Sequence, residues 1–245
     1  VAFFNVHPNA SSYGKYIVLI HNDEGLEVYS LYAHLSVITD TLKLGALIKA
    51  GETLGVMGRT ANHDIPAKRS HLHFEIGLVG SYDFKAWVVK YYKDPNFNKF
   101  GLWHGYNLLG FNPTDILIKQ QKLDGKFSIA EHIAGRPALI QIHIKGKTLP
   151  LAKRLSALIE TKKLDEQKAV AGHGIDLNIN GTPLRIHKLE KWVGGAESRY
   201  VLGSVNEKVA LKNRCRQLVF KSGAKWILTD KGHRLAELLA MGAGN

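Results

Sequence analysis

Ser70-His71-Leu72-His73-Phe74-Glu75-Ile76 alternates polar and apolar residues without a break. That period predicts a half-buried strand. Residues two apart on a strand share a face, so His71, His73 and Glu75 point one way and Leu72, Phe74 and Ile76 the other. The two imidazoles then lie roughly 6.5–7 Å apart along the backbone, close enough to serve one metal ion and its bound water. A second polar island, Tyr32-Ala33-His34-Leu35, ends another strand-like run. The first half of the chain therefore reads as a scaffold that gathers His34, His71 and His73. The competing reading is a solvated strand face, which an isolated His-x-His would favour. The surrounding pattern decides between them.

Working outward, Tyr16 to His21 is β-branched and apolar and Leu26 to His34 alternates, with Asn22-Asp23-Glu24-Gly25 as the turn of a hairpin. Residues 44–51 and 52–58 are short apolar pieces separated by glycines, which predicts short strands linked by tight turns. A polar loop, Arg59 to Ser70, leads into the HLH strand. No helix is expected before about residue 80. From Tyr82 to Tyr92, Phe84, Trp87, Val88 and Tyr91 fall at i, i+3, i+4 and i+7, the stripe of an amphipathic helix ending at Asp94-Pro95. Residues 97–113 read as loop, and their aromatics, Trp103 with His104 among them, read as a minor core ahead of a substrate groove.

The hydrophilic run Lys119 to Lys126 marks a domain boundary, giving domains 1–120 and 121–245. Beyond it, strands are expected at Leu139 to Ile144, Gly174 to Ile179 and Pro183 to His187, with a helix over Leu151 to Lys163. The end of the chain reads helix, hairpin (Gln217 to Phe220, Lys225 to Leu228), helix. Thr229 caps that last helix, Leu235, Leu238 and Leu239 form its apolar stripe, and Gly242 ends it. The fold class is thus a mainly β, antiparallel N-terminal domain followed by a smaller α+β C-terminal domain.

With 245 residues, 45% of them hydrophobic, the chain can build one large or two modest cores. A net charge of +12 points to an anionic partner: nucleic acid, an acidic membrane surface or a bacterial wall polymer. One cysteine, Cys215, excludes an intrachain disulfide; its Arg214 and Arg216 neighbours favour thiolate, but no partner histidine motif accompanies it, and it reads as a core or surface thiol. No apolar run approaches the ~18–20 residues of a membrane span. The sequence opens at Val1 with neither Met nor a signal-like segment, as expected of a processed chain or a piece of a longer protein.

Four segments together resemble the lysostaphin-type (LytM-like) zinc endopeptidases of bacterial cell walls. They are Tyr13-Gly14-Lys15-Tyr16-Ile17-Val18-Leu19-Ile20-His21; Tyr29-Ser30-Leu31-Tyr32-Ala33-His34-Leu35; Lys49-Ala50-Gly51-Glu52-Thr53-Leu54-Gly55-Val56-Met57-Gly58; and the HLH strand. They stand in the family's order and cover residues 1 to about 118. The resemblance implies a flattened barrel or sandwich, zinc, and an exported protein of the bacterial cell envelope, periplasm or cell surface, acting on peptidoglycan peptides. It makes His73 a zinc ligand and places His34 and His71 beside the metal-bound water as catalytic acid or base groups. Glu75 becomes an orienter of the metal-bound imidazole, whose other nitrogen needs a partner. The family's remaining ligands, the His and Asp of a His-x-x-x-Asp motif, precede all four segments and have no counterpart here. The chain is therefore expected to bind zinc weakly or not at all.

Four other readings compete. A degenerate, non-catalytic relative would bind the wall or activate another hydrolase. Gly172-His173-Gly174-Ile175-Asp176, followed by Gly181-Thr182-Pro183, echoes the missing ligand strand, but Gly172 holds the histidine's place and His173 and Asp176 are three apart, so it reads as a plain strand and turn. The glycine-spaced pieces of residues 44–58 also resemble half of a lipoyl-type carrier, which needs a lysine beside methionine that neither Met57 nor Met241 has. Finally, the basic helix–hairpin–helix with Lys212, Arg214, Arg216, Lys221, Lys225 and Lys231 faintly resembles a winged helix, a nucleic-acid reading that a solvated basic face explains more cheaply.

Overall fold

The computed structural model describes residues 1–245 except 95, 124–125, 161–168, 214–217 and 245. The chain forms two compact units: residues 1–22, 27–77 and 110–118 in the first, and 23–26, 78–109 and 119–245 in the second.

The first unit is built on β1 (Phe3–Asn5), β2 (Tyr16–Asp23), β3 (Leu26–Ala33), β4 (Leu35–Ile38), β5 (Gly55–Met57), β6 (His73–Val79) and β7 (Leu108–Gly110), some of which run on past its limits. Five of these make one sheet in the order β1-β2-β3-β6-β7. Glu24 and Gly25 close the expected hairpin with φ of 51° and 89°, the two left-handed residues of a type I′ turn, whose twist matches that of the flanking strands. β3 and β6 are antiparallel with Leu31 opposite Glu75 and Ala33 opposite His73. β4 and β5 form a separate two-stranded ribbon. Ile17, Leu19, Leu35 and Leu42 are buried together, with Phe4, Tyr32, Ile38, Ile48 and Leu54 packed on them. This core fixes the ribbon against one face of the sheet.

Two expectations are corrected here. The sheet is open, with β1 and β7 as its edges, so the flattened barrel is not closed. Of the strands expected over 44–58, only Gly55–Met57 forms. Gly45 and Gly51 adopt φ of 80° and 84°, and between them only Ile48 packs on the core, Leu47 being 96% exposed. Without a buried face, that segment stays a string of turns.

In the second unit, α1 (Phe84–Tyr91) buries Phe84, Trp87 and Val88, as its periodicity predicts. Leu238 joins this cluster, and Phe97, Leu102 and Tyr92 pack on it. Phe97 stacks on Tyr92 at 3.7 Å between ring centroids and on His104 at 4.8 Å, so these aromatics line a core beneath the loop. α2 (Pro113–Leu123) carries the chain from one unit to the other, so Lys119–Leu123, read as linker, is helical. After α3 (Ile129–Ala134) come β8 (Ile140–Lys145), α4 (Pro150–Arg154), β9 (Gly172–Leu177), β10 (Pro183–Leu189) and β11 (Tyr200–Val205). They form an antiparallel sheet in the order β10-β9-β8-β11, whose last strand the sequence did not announce. The helix expected over 151–163 is cut to α4 and a short 3-10 turn at Ser156–Leu158, and its end lies outside the described residues.

α5 (Glu207–Lys212), β12 (Val219–Ser222), β13 (Lys225–Leu228) and α6 (Asp230–Leu239) follow in the expected order. Thr229 caps α6 by accepting the Gly232 N–H, and Gly242 turns the chain at φ 71°. Gln217 and Cys215 lie outside the described residues. The GHGID segment is β9, followed by a turn in which Asn178 accepts from the N–H groups of Asn180 and Thr182. No helix among the described residues is long and apolar enough to cross a membrane.

Candidate active site

β3 ends where His34 takes φ 59°, a left-handed conformation that costs an ordinary residue roughly 1–2 kcal/mol. Backbone pairing holds it there. The His34 N–H donates to the Tyr13 carbonyl at 3.0 Å, and the next N–H, Leu35, donates to Lys15 at 3.0 Å. The kink separates β3 from β4 and leaves the imidazole 6% exposed at the wall of a groove.

His73 starts β6 directly opposite Ala33, so the β3–β6 register brings it beside His34. His71 precedes the strand and is fastened by its N–H to the Gly58 carbonyl at 3.2 Å. The ring centroids of His34 and His71 are 4.8 Å apart, and those of His34 and His73 are 5.5 Å apart. The structure thus brings together all three imidazoles named from the sequence. The groove they share measures about 360 Å³ and is also lined by Tyr13, His63, Asp64 and Arg69.

Hydrogen-bond partners assign the protons. Nδ1 of His34 meets the Thr60 carbonyl at 2.8 Å, and Nδ1 of His71 meets the Arg69 carbonyl at 2.8 Å. A carbonyl only accepts, so both rings carry hydrogen on Nδ1, and in the neutral ring Nε2 is the nitrogen left with the lone pair. His73 is reversed: its Nε2 donates to Glu75 Oε1 at 2.8 Å, so in the neutral ring Nδ1 is the nitrogen with the lone pair.

Glu75 is held by two further donors, the Tyr13 hydroxyl at 2.9 Å and the Tyr29 hydroxyl at 3.0 Å. Burial pushes its pKa up, but the hydrogen bonds from His73, Tyr13 and Tyr29 outweigh that, and it stays below the usual carboxylate value. Burial and the same carboxylate raise both phenols, so they remain donors. For His34, burial is the largest influence and, with His71, His73 and His63 nearby, sets its pKa below the ordinary histidine value despite the Thr60 carbonyl.

The sequence pattern did not single out Tyr13 or Tyr29 as partners of this site. The signal for Tyr29 was available in the strand period: it lies two residues from Leu31, the residue opposite Glu75, and so shares that face.

These atoms can be tested against a zinc ion. One imidazole with an oriented second nitrogen, His73, suits a metal. Among the described residues, however, no group of three or more His, Cys, Asp or Glu has the geometry to hold one. The described residues do not make a zinc site by themselves.

The family model described as Peptidase family M23 matches residues 4–82, a span that contains His34, His71, His73 and Glu75. Residues 4–82, about a third of the chain, are thus similar to peptidase family M23. No curated protein and no solved structure matches the chain. The matched segment runs from Phe4 within β1 through β6 and stops at Tyr82, short of β7.

Proposed function

We propose that the M23 segment hydrolyses peptide bonds of bacterial peptidoglycan in a zinc-dependent, exported endopeptidase. The observation that carries this reading is the pair of imidazoles, His34 and His71, each tied through Nδ1 to a backbone carbonyl and sharing a groove with His73. Zinc, when bound, supplies an activated water and charge stabilisation. His73 would offer Nδ1 to it, and two further donors are needed beyond those that the described residues bring to the groove. The two Nε2 bases can take a proton from water and return it to the leaving amine. Glu75 keeps the His73 ring turned so that Nδ1 is not the protonated atom. The net charge of +12 suits an anionic wall polymer as partner.

The test is hydrolysis of purified peptidoglycan by the gene product, including whatever is encoded ahead of Val1, with and without a chelator. Chelator-sensitive release of new amino termini supports the reading. Wall binding without release under zinc-replete conditions would replace it with a non-catalytic wall-binding or hydrolase-activating module.

A further inference from the structure

We infer that Thr60 is the positioning residue of His34, fixing which ring nitrogen of that histidine faces the groove. Thr60 lies in the irregular stretch between β5 and β6, where nothing in the ladder holds it. Its own side chain does so instead. The hydroxyl accepts the Lys15 N–H at 2.9 Å and donates to the Leu35 carbonyl at 2.9 Å. Both partners adjoin the backbone that holds His34: Lys15 is the second residue after Tyr13, and Leu35 follows His34 itself. Tied at these two points, Thr60 aims its carbonyl at Nδ1 of His34.

Gly14 makes the approach possible. It adopts φ 60°, and a Cβ there would stand 2.1 Å from the Thr60 carbonyl oxygen and 2.3 Å from its carbon. The Gly14 carbonyl is itself anchored by the buried Asn5 Nδ2 at 2.7 Å, so the backbone cannot simply retreat. An imidazole side chain in water favours hydrogen on Nε2. The Thr60 carbonyl selects the opposite form, which turns Nε2 into a base toward the groove. The consequence for catalysis rests on the peptidase reading; the tautomer does not.

The experiment is therefore spectroscopic and uses the metal-free chain. Long-range ¹H–¹⁵N correlation at about pH 8, where free histidine is neutral, reports which nitrogen of His34 is protonated. The wild type and Thr60→Ser, which keeps the hydroxyl, should both show His34 mainly as Nδ1–H. Thr60→Val, matched in shape but without the hydroxyl, should shift the population to Nε2–H while backbone amide dispersion shows an intact fold. Gly14→Ala should do the same with Thr60 unchanged, and it decides the matter if Thr60→Val fails to fold. A wild-type His34 found as Nε2–H overturns the inference, as does a folded Thr60→Val or Gly14→Ala chain that keeps Nδ1–H. Loss of the peptidase reading would leave these spectra as they are.

Discussion

His34 and His71 reach the groove from different elements, yet their rings lie 4.8 Å apart and each gives its Nδ1 hydrogen to a backbone carbonyl. Two bases so placed predict separable roles. On the peptidase reading, in a zinc-loaded gene product that supplies the two further ligands, His34→Ala and His71→Ala should keep the metal and lose on the order of 10²–10⁴-fold in rate. His73→Ala should lose metal and activity together. If His71→Ala strips the metal as completely as His73→Ala, the roles within the HLH pair are reversed.

The pH profile should carry the mark of His34. Its pKa lies below the ordinary value because burial, helped by three neighbouring imidazoles, disfavours the charged ring. The free base therefore persists to lower pH than for a solvated histidine. The acid limb of kcat/KM should inflect below about 6.5. An inflection above that value would assign the limb to another group.

Glu75 accepts from three side chains, and removing it orphans them together. The Tyr29 ring is fully buried, so its hydroxyl has no ready access to water. Glu75→Ala should cost about 1–3 kcal/mol for each donor left without a partner and out of water, whereas Tyr13→Phe should cost about 0.5–1.5 kcal/mol for one lost bond. Urea unfolding of both variants measures the difference.

Acid should weaken the second unit through Asp176. Gln141 and Arg185 each reach this carboxylate at 2.8 Å, and His187 stands 3.3 Å away. Burial pushes its pKa up, yet the His187, Gln141 and Arg185 contacts outweigh that and bring it down to about 2. The unfolded chain takes up this proton near 3.9, so the contribution is complete above that value and is lost as pH falls toward about 2. Asp176→Asn should flatten this limb of a stability–pH curve; an unchanged limb assigns it to other carboxylates.

Burial separates two apolar positions that look alike in sequence. Phe84 is fully buried and stacked on Trp87 at 5.4 Å, so Phe84→Ala should cost about 3–5 kcal/mol. Leu47 is 96% exposed, and Leu47→Ser should stay within about 0.5 kcal/mol. Thermal melts of the two variants test the contrast.

What the sequence disclosed follows from how local each signal is. The period of Ser70 to Ile76 places His73 and Glu75 on one face, and the Phe84–Tyr91 stripe and the Thr229 cap are complete within a turn or two of helix. The glycine-spaced segment 44–58 misled because its apolar residues carry no information about whether anything covers them. Tyr13 and Thr60 meet their partners from 62 and 26 residues away, respectively. Contacts of that kind depend on register and on the room that Gly14 leaves, which no periodicity encodes.

The M23 match ends at Tyr82, but the sheet does not. β7 (Leu108–Gly110) lies beside β6, and the Phe111 N–H donates to the Ile76 carbonyl at 2.8 Å. A gene fragment trimmed at the family boundary would leave that flank of β6 without its covering strand. Unclaimed carbonyls and amides along a flat, apolar strand recruit any neighbour able to pair with them, including another copy of the same fragment. Recombinant work on this segment should therefore extend through Ile118, or the product will be lost to self-association on expression rather than to any defect of the histidine groove.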